Sequence, residues 1–381
     1  MLLALRLDRH LHGLVDGYFG PRELQARVAT EQPADPAALG AEAAALLAEL
    51  DQPDWEPQRR RWLRGQLQGL ACVADIASGV EVPWREAVRR CYGLDVELAP
   101  EVRFARMHER LDAVLPGSGD LAQRLQAWNR SQEVPPTKLL PGFVVLADEL
   151  RRRTAEMVDL AEGERVDAAT VAAQPWAAYN WYLGEGKSRI ELNTDLPLRS
   201  WSLAILAAHE AYPGHHTEHS CKEARLFRQL GRLEASILTI HTPECLVSEG
   251  IAQLALRQAL GDSWPDRVAA LLQPLEIPFD PETAGIVADA NAEFEAVATN
   301  VAYLTNEHGW STEQAVAYHQ HWSLYEEQRA RKRVEFDTHP FWSIYVPTYW
   351  YGPQLAHTFT QQDERAFARL LTEQVTTADL V

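Results

Sequence analysis

Four ionisable side chains, His209, Glu210, His215 and His216, fall within the eight-residue stretch H-E-A-Y-P-G-H-H at the end of an apolar helical run. Two imidazoles and a remote carboxylate are the ligand set of a catalytic zinc that keeps one coordination position for water. A glutamate directly after the first histidine is where such sites carry their general base, which points to Glu210. Glu249, on a second apolar run, is the candidate for the remote carboxylate. So many ionisable groups in apolar surroundings are costly unless a cation or a dense hydrogen-bond network satisfies them.

In the usual H-E-x-x-H arrangement the second histidine sits at i+4, one turn above the first. Here that position is Pro213. Proline cannot donate to the carbonyl of His209 and Gly214 frees the backbone, so the spacing predicts a helix that kinks, widens or restarts and lets a later histidine swing back. Reading the segment as H-E-x-G-H with two residues added favours His215 as the second ligand, with His216 the alternative. His216 then faces another layer, as a neighbouring or substrate-binding group, and His219 is a weaker candidate ligand. Imidazoles dominate the set, which favours zinc, one ion per chain, over magnesium or calcium; manganese, iron and cobalt suit the same ligands.

The elements that must position these groups read mostly at helical period. Residues 37–50, 57–79, 118–130 and 142–162 carry apolar positions three and four apart. Trp201, Ile205 and His209 recur at fourfold spacing, which puts His209 on a buried face. Thr242-Pro243-Glu244 has the cap, first-turn proline and early carboxylate of a helix start, so Leu246, Glu249 and Gln253 share a face. Asp280-Pro281-Glu282 starts another helix, and Ser311-Thr312-Glu313-Gln314 has capping-box spacing for a long one running towards Arg333. Between Gly186 and Pro197 the segment K-S-R-I-E-L-N-T-D-L alternates Ile190 and Leu192 with Arg189, Glu191 and Asn193, the period of a short strand. Its place just before the metal helix suggests an edge strand that pairs with an extended ligand, with Arg189 and Asn193 as substrate-binding residues; a plain surface hairpin gives the same pattern. The expected fold is mainly α, a multi-helix bundle-like body with one small edge strand or hairpin near the metal. A break at Pro135-Pro136 separates an N-terminal helical part, 1–135, from a catalytic part, 136–381, within what can still be one continuous domain.

Composition narrows the partners. Lys+Arg 36 against Asp+Glu 54 gives a net charge of −18, which works against nucleic acid and anionic membranes. No stretch of about 18 apolar residues runs without a charge, and the N-terminal run is broken by Arg6, Asp8 and Arg9. Cys72, Cys91, Cys221 and Cys245 form no C-x-x-C pair and read as reduced thiols. A cytoplasmic protein acting on a peptide or small-molecule substrate is expected.

H-E-A-Y-P-G-H-H resembles the H-E-x-x-P-G-H-H motif of the bacterial domain of unknown function 885, and V-S-E-G-I-A-Q-L resembles that family's later E-G-W-A segment. G-E-G-K-S-R-I-E-L-N-T-D-L-P, E-H-G-W-S-T-E-Q-A-V-A-Y and Y-W-Y-G are similar to further landmarks, so the resemblance covers roughly residues 180–355. It implies a mostly helical zinc metallopeptidase akin in layout to thermostable carboxypeptidases and angiotensin-converting enzyme, where an edge strand beside the metal aligns peptide. The chain departs from the pattern at Ile251, where the family often has Trp, at Asn300 and Leu304, which stand for an Arg and an Asp, and at Pro347-Thr348-Tyr349, where a Pro-Gly-Gln run is usual. Tyr345, Tyr349 and Tyr351 offer phenols for a developing oxyanion, and the family-like Y-x-x-G position selects Tyr349. His339, before Pro340, is the one late histidine with a candidate site role.

These residues imply metal-assisted hydrolysis with Glu210 as base and Tyr349 as oxyanion donor, on short peptides in the first instance. A metal-dependent hydrolase or lyase of a non-peptide small molecule is the alternative within catalysis. A helical scaffold with a structural histidine cluster is the alternative outside it.

Overall fold

The computed structural model describes residues 1–174, 176–195 and 197–380. Helix accounts for 63% of the chain and strand for 8%, so the protein is mainly α. No helix among the described residues is long and apolar enough to cross a membrane.

The helices expected from periodicity at 37–50 and 57–79 and the starts expected at Pro243 and Pro281 are present. Helices Pro36–Glu49 and Pro57–Ala77 begin with proline in the first turn behind capping Asp35 and Glu56, whose carboxylates accept from backbone N–H groups. Asp280 caps Pro281–Glu293 in the same way. Thr242 precedes helix Pro243–Leu260, although its hydroxyl bonds back to the Thr239 carbonyl instead of capping.

Two helix expectations are corrected. The run placed at 142–162 is a helix over Pro136–Thr154, with Pro136 in its first turn and Pro141 inside it; a proline near a start removes an N–H that has no helical partner. The capping box of Ser311 and Gln314 forms, but its helix stops at Trp322, because Leu324 turns the backbone to φ +56° before helix Glu327–Asp337 begins.

The strand content includes a hairpin near the metal helix and exceeds the one small edge strand or hairpin expected. Strand β1 (Val15–Tyr18) will pair with a late strand, and β2 (Arg165–Val171), β3 (Ala178–Gly184) and β4 (Lys187–Asn193) form a sheet of order β2-β4-β3. β2 runs parallel and β3 antiparallel to β4. The late strand, β5 (Ile237–Thr239), is antiparallel to β1. The alternating segment read from the sequence is β4, and it is the central strand: Ile190 and Leu192 are fully buried and both backbone edges are already paired. The sheet's unpaired edges belong to β2 and β3. Leu196, the last apolar residue of that segment, lies outside the described residues.

Apolar packing crosses the Pro135-Pro136 break. One core joins Phe104, Leu111 and Trp128 to Phe143, Leu203 and Trp264, and a second joins Tyr92 and Val96 to Leu246, Ile251 and Val346. At the centre, helix Pro243–Leu260 crosses helix Thr348–Thr360 at glycine. A Cβ on Gly250 would stand 2.5 Å from the Gly352 carbonyl oxygen, and one on Gly352 2.7 Å from that of Leu246. This backbone contact sets Glu249 and the tyrosines near Tyr349 at a common depth.

Candidate metal centre

The helix that begins at Ser200 runs regularly to Leu206 and then widens into a π turn over Ala207–Ala211 that carries His209 and Glu210. The chain turns through the Tyr212–Pro213 bond, which is cis, and a new helix starts at His215. Proline's missing N–H explains the widening: Tyr212 N–H reaches the Ala207 carbonyl at 3.4 Å and Gly214 N–H the Ala208 carbonyl at 3.0 Å. Only glycine fits at 214, since a Cβ there would lie 2.0 Å from the His209 carbonyl oxygen. The widened turn followed by a restart swings His215 back over His209.

His209 Nε2 and His215 Nε2 are 3.1 Å apart. Glu249 Oε2 lies 3.7 Å from the first and Glu249 Oε1 3.6 Å from the second. A tetrahedral ion with N and O ligands at about 2.0–2.2 Å separates its ligand atoms by about 3.3 Å, so these three fit round one divalent cation. The hydrogen bonding agrees. Tyr345 O–H donates to Glu249 Oε1 at 2.6 Å, while the buried Oε2 has no hydrogen-bond partner among the described residues. An unpaired carboxylate oxygen at this depth is what a cation would satisfy.

The surroundings orient His215. Its Nδ1 lies 3.1 Å from Ser248 Oγ, and Ser248 O–H donates at 2.5 Å to Glu218, which accepts from the buried Lys222 ammonium at 2.6 Å. Because Ser248 gives its proton to a carboxylate, it accepts from His215 Nδ1–H, leaving the Nε2 lone pair directed at the cradle. Lys222 also meets Glu244 at 3.4 Å.

The three ligands open on a cavity of about 430 Å³ that is also lined by Glu210, Asp16, Trp176, Tyr179, Asn180 and Tyr349. Burial pushes the Glu210 carboxyl up to about 7; His215 opposes this, and Glu249 and Asp16 add to it. Burial also holds His209 well below the usual histidine range. For His215 burial works the other way from the net result: the carboxylates of Glu249, Glu210, Glu218 and Asp16 outweigh it and raise its pKa. Five carboxyl groups, those of Asp16, Glu210, Glu218, Glu244 and Glu249, line the cavity, with the Lys222 ammonium paired to Glu218 and Glu244. Asn180 donates to the Glu210 backbone carbonyl at 2.6 Å and ties the π turn to β3, whose free edge borders the cavity.

Other candidates go elsewhere. His216 is fully buried with both ring nitrogens engaged, Nδ1 by Ser188 at 2.8 Å and Nε2 by Glu164 at 2.8 Å, so it is neither ligand nor substrate group. Glu164 also accepts from Tyr212 and Arg151, completing a buried network behind the metal helix. Arg189 is exposed on the central strand and pairs with Glu191 at 2.7 Å, away from the cavity wall. Asn193 donates to the Gln174 and Trp176 carbonyls, both at 2.8 Å, and so fixes the turn that carries Trp176 rather than binding substrate itself. Tyr351 accepts from Glu97 N–H, whereas Tyr349 borders the cavity edge-on to Tyr345. His219 lines the cavity, stacked on His215, and is driven down to about 3, mainly by burial. His339 accepts from the Phe341 and Trp342 N–H groups and shapes the loop bearing Trp342.

Sequence reasoning passed over Asp16, Tyr179, Asn180, Glu218 and Ser248. Glu218 follows His215 at i+3 and Ser248 directly precedes Glu249, so helical spacing was a usable signal for both. Asp16 and Tyr179, hydrogen-bonded to each other on different strands, come together only by folding.

No family model and no curated protein matches the chain. Among solved structures, it is similar to a putative lipoprotein from Colwellia psychrerythraea, with 17% identity and a TM-score of 0.55 over 89% of this chain; the match spans 65% of that protein. It is also similar to a putative lipoprotein of unknown function from Shewanella oneidensis, with 12% identity and a TM-score of 0.52, over 98% of this chain and 80% of that one. At these identities the likeness is one of fold.

Proposed function

We propose that the protein is a zinc-dependent hydrolase, a peptidase that cleaves amide bonds in short peptides with Glu210 as general base. The observation that carries this reading is the cradle of His209, His215 and Glu249, with Glu210 on the same cavity wall. Three protein ligands with a side open to a cavity are the pattern of catalytic rather than structural zinc. Zinc in this cradle supplies a Lewis acid and lowers the pKa of water at the reaction centre.

Glu210 takes the proton of the attacking water and passes it to the leaving nitrogen, a task suited to a carboxyl whose proton affinity burial has raised. Tyr345 is committed to Glu249, which leaves the Tyr349 phenol to donate to the oxyanion. The free edge of β3 offers backbone groups along which an extended peptide aligns, in keeping with the resemblance to the domain 885 family. Four free cysteines support a reducing compartment, and the cytoplasm is part of the proposal. So is a small substrate in place of nucleic acid or membrane, given the charge of −18.

Metal analysis with a peptide-library digest tests the reading. One zinc per chain, with Glu210→Gln retaining that zinc and losing about 10²–10⁴ in turnover, is the expected result. Native protein free of metal removes the enzyme, and a metalloprotein that cleaves no peptide turns the assignment to a non-peptide hydrolase or lyase.

A further inference from the structure

A second cavity, of about 390 Å³, is lined by apolar side chains that include Leu125, Trp201 and Ile205 and by Arg130, Arg199 and Arg329, with Glu326 beside them. None of the three arginines makes an ion pair among the described residues, in a chain with eighteen more acidic than basic groups. Arg199 Nε is buried without a hydrogen-bond partner. Its pKa is lowered, by burial first and then by the neighbouring Arg329; Glu133 and Glu326 pull it the other way. Arg329 is held over the Tyr325 ring at 4.1 Å, so its guanidinium is placed rather than free. Partly desolvated guanidinium groups turned on one apolar cavity are the surroundings of an anion with an apolar body.

Three elements line this cavity and the metal cavity in succession. On the metal helix Trp201 and Ile205 face the arginine cavity and His209 the other, and on helix Glu327–Asp337 Arg329 and Phe336 divide in the same way. Where the chain enters β3, Ala177 borders the first cavity while Trp176 and Ala178 border the second. At 1.5 Å per residue, Arg199 lies about 15 Å along the helix axis from His209, and Arg329 about 10 Å from Phe336. An extended peptide covers that distance in about three or four residues.

We infer that the two cavities are the ends of one cleft, and that Arg199 and Arg329 receive the C-terminal carboxylate of a peptide whose scissile bond lies at the metal end, about three or four residues away. The inference rests on the peptidase reading and specifies its substrate: a short peptide with a free C-terminus and apolar side chains next to it.

The test uses the zinc-loaded full chain and three N-acetylated hexapeptides: a free acid, its C-terminal amide, and the amide with a penultimate glutamate. The free acid should be cut about three or four residues from its end, and its amide should show a KM at least tenfold higher. Arg199→Gln, and independently the exposed Arg329→Gln, should raise KM for the acid towards that of the amide, with kcat and zinc content unchanged. Equal KM for acid and amide, or variants that keep the preference, overturn the inference. A glutamate-bearing amide that binds as well as the acid also overturns it, assigning the arginines to an acidic side chain. If no peptide is cleaved, the peptidase reading fails separately, and calorimetric titration of zinc-free protein with acid and amide decides the cleft. A tenfold preference for the acid that is lost in Arg199→Gln and in Arg329→Gln upholds carboxylate capture there, and equal binding ends it.

Discussion

Replacing Glu249 by glutamine should change the sign of its effect on stability according to whether zinc is present. Glutamine keeps an acceptor for Tyr345 O–H, which now bonds Glu249 Oε1 at 2.6 Å, and removes the charge of a buried carboxyl whose pKa burial has raised. Without metal the variant should therefore be as stable as the parent or more so, since its unpaired oxygen and charge are what burial penalises. With free zinc buffered at about a thousand times the dissociation constant, the parent gains about 4 kcal/mol. At about 2.1 cal/mol/K per residue, 381 residues give an unfolding entropy of about 0.8 kcal/mol/K, so the parent's Tm should rise by about 5 °C. Loss of the anionic ligand should weaken binding at least about a thousandfold, more than the 10–100-fold typical of an outer partner. The same free zinc then adds about 0.4 kcal/mol to the variant, about half a degree. Differential scanning calorimetry in chelator and in zinc buffer measures all four states. An equal zinc shift in both proteins, or none in the parent, refutes the cradle as the metal site.

Ser248→Ala should cost zinc affinity about 10–100-fold by freeing the His215 tautomer, read by competition with a chromophoric chelator, while Glu210→Gln leaves affinity nearly unchanged. Tyr349→Phe should lower kcat by about 10²–10³ with zinc retained; an unchanged kcat would hand the oxyanion to another donor. His216→Ala should destabilise the fold by about 3–5 kcal/mol in denaturant titration, because it strips a partner from buried Glu164, yet leave one zinc per chain. Loss of zinc from soluble, folded His216→Ala would contradict its placement. Gly214→Ala should abolish zinc binding, since its Cβ overlaps the His209 carbonyl; a variant with normal zinc content would show that the turn can relax.

Local chemistry made part of this molecule legible. First-turn prolines announced the helix starts at Pro243 and Pro281, and periodicity the helices that begin at Pro36 and Pro57, because both signals act within a turn or two of chain. Pro213 and Gly214 announced an irregular turn for the same reason, and the structure shows it as a π turn and a restart. The role of β4 was misread because alternation reports which face is buried and says nothing about which edge is paired; its partners come from residues 165–171 and 178–184. Arg189 and Asn193 followed that misreading, and the helix through 311–322 was overrun because a positive φ at Leu324 leaves no mark in the periodicity.

The sequence by itself determined the residue types of the cradle, the helices that carry them and the break that bends one of those helices, all consequences of covalent geometry within a few residues. Tertiary structure decided which imidazole turns to Glu249 and which to Glu164, and that Ser248 and Glu218 stand behind the first. It also decided that β3 rather than β4 offers a free edge, and that Asp16 and Tyr179 meet across the cavity. Those outcomes depend on where helices cross, and the crossing of Gly250 with Gly352 joins residues a hundred positions apart, beyond the reach of any local pattern.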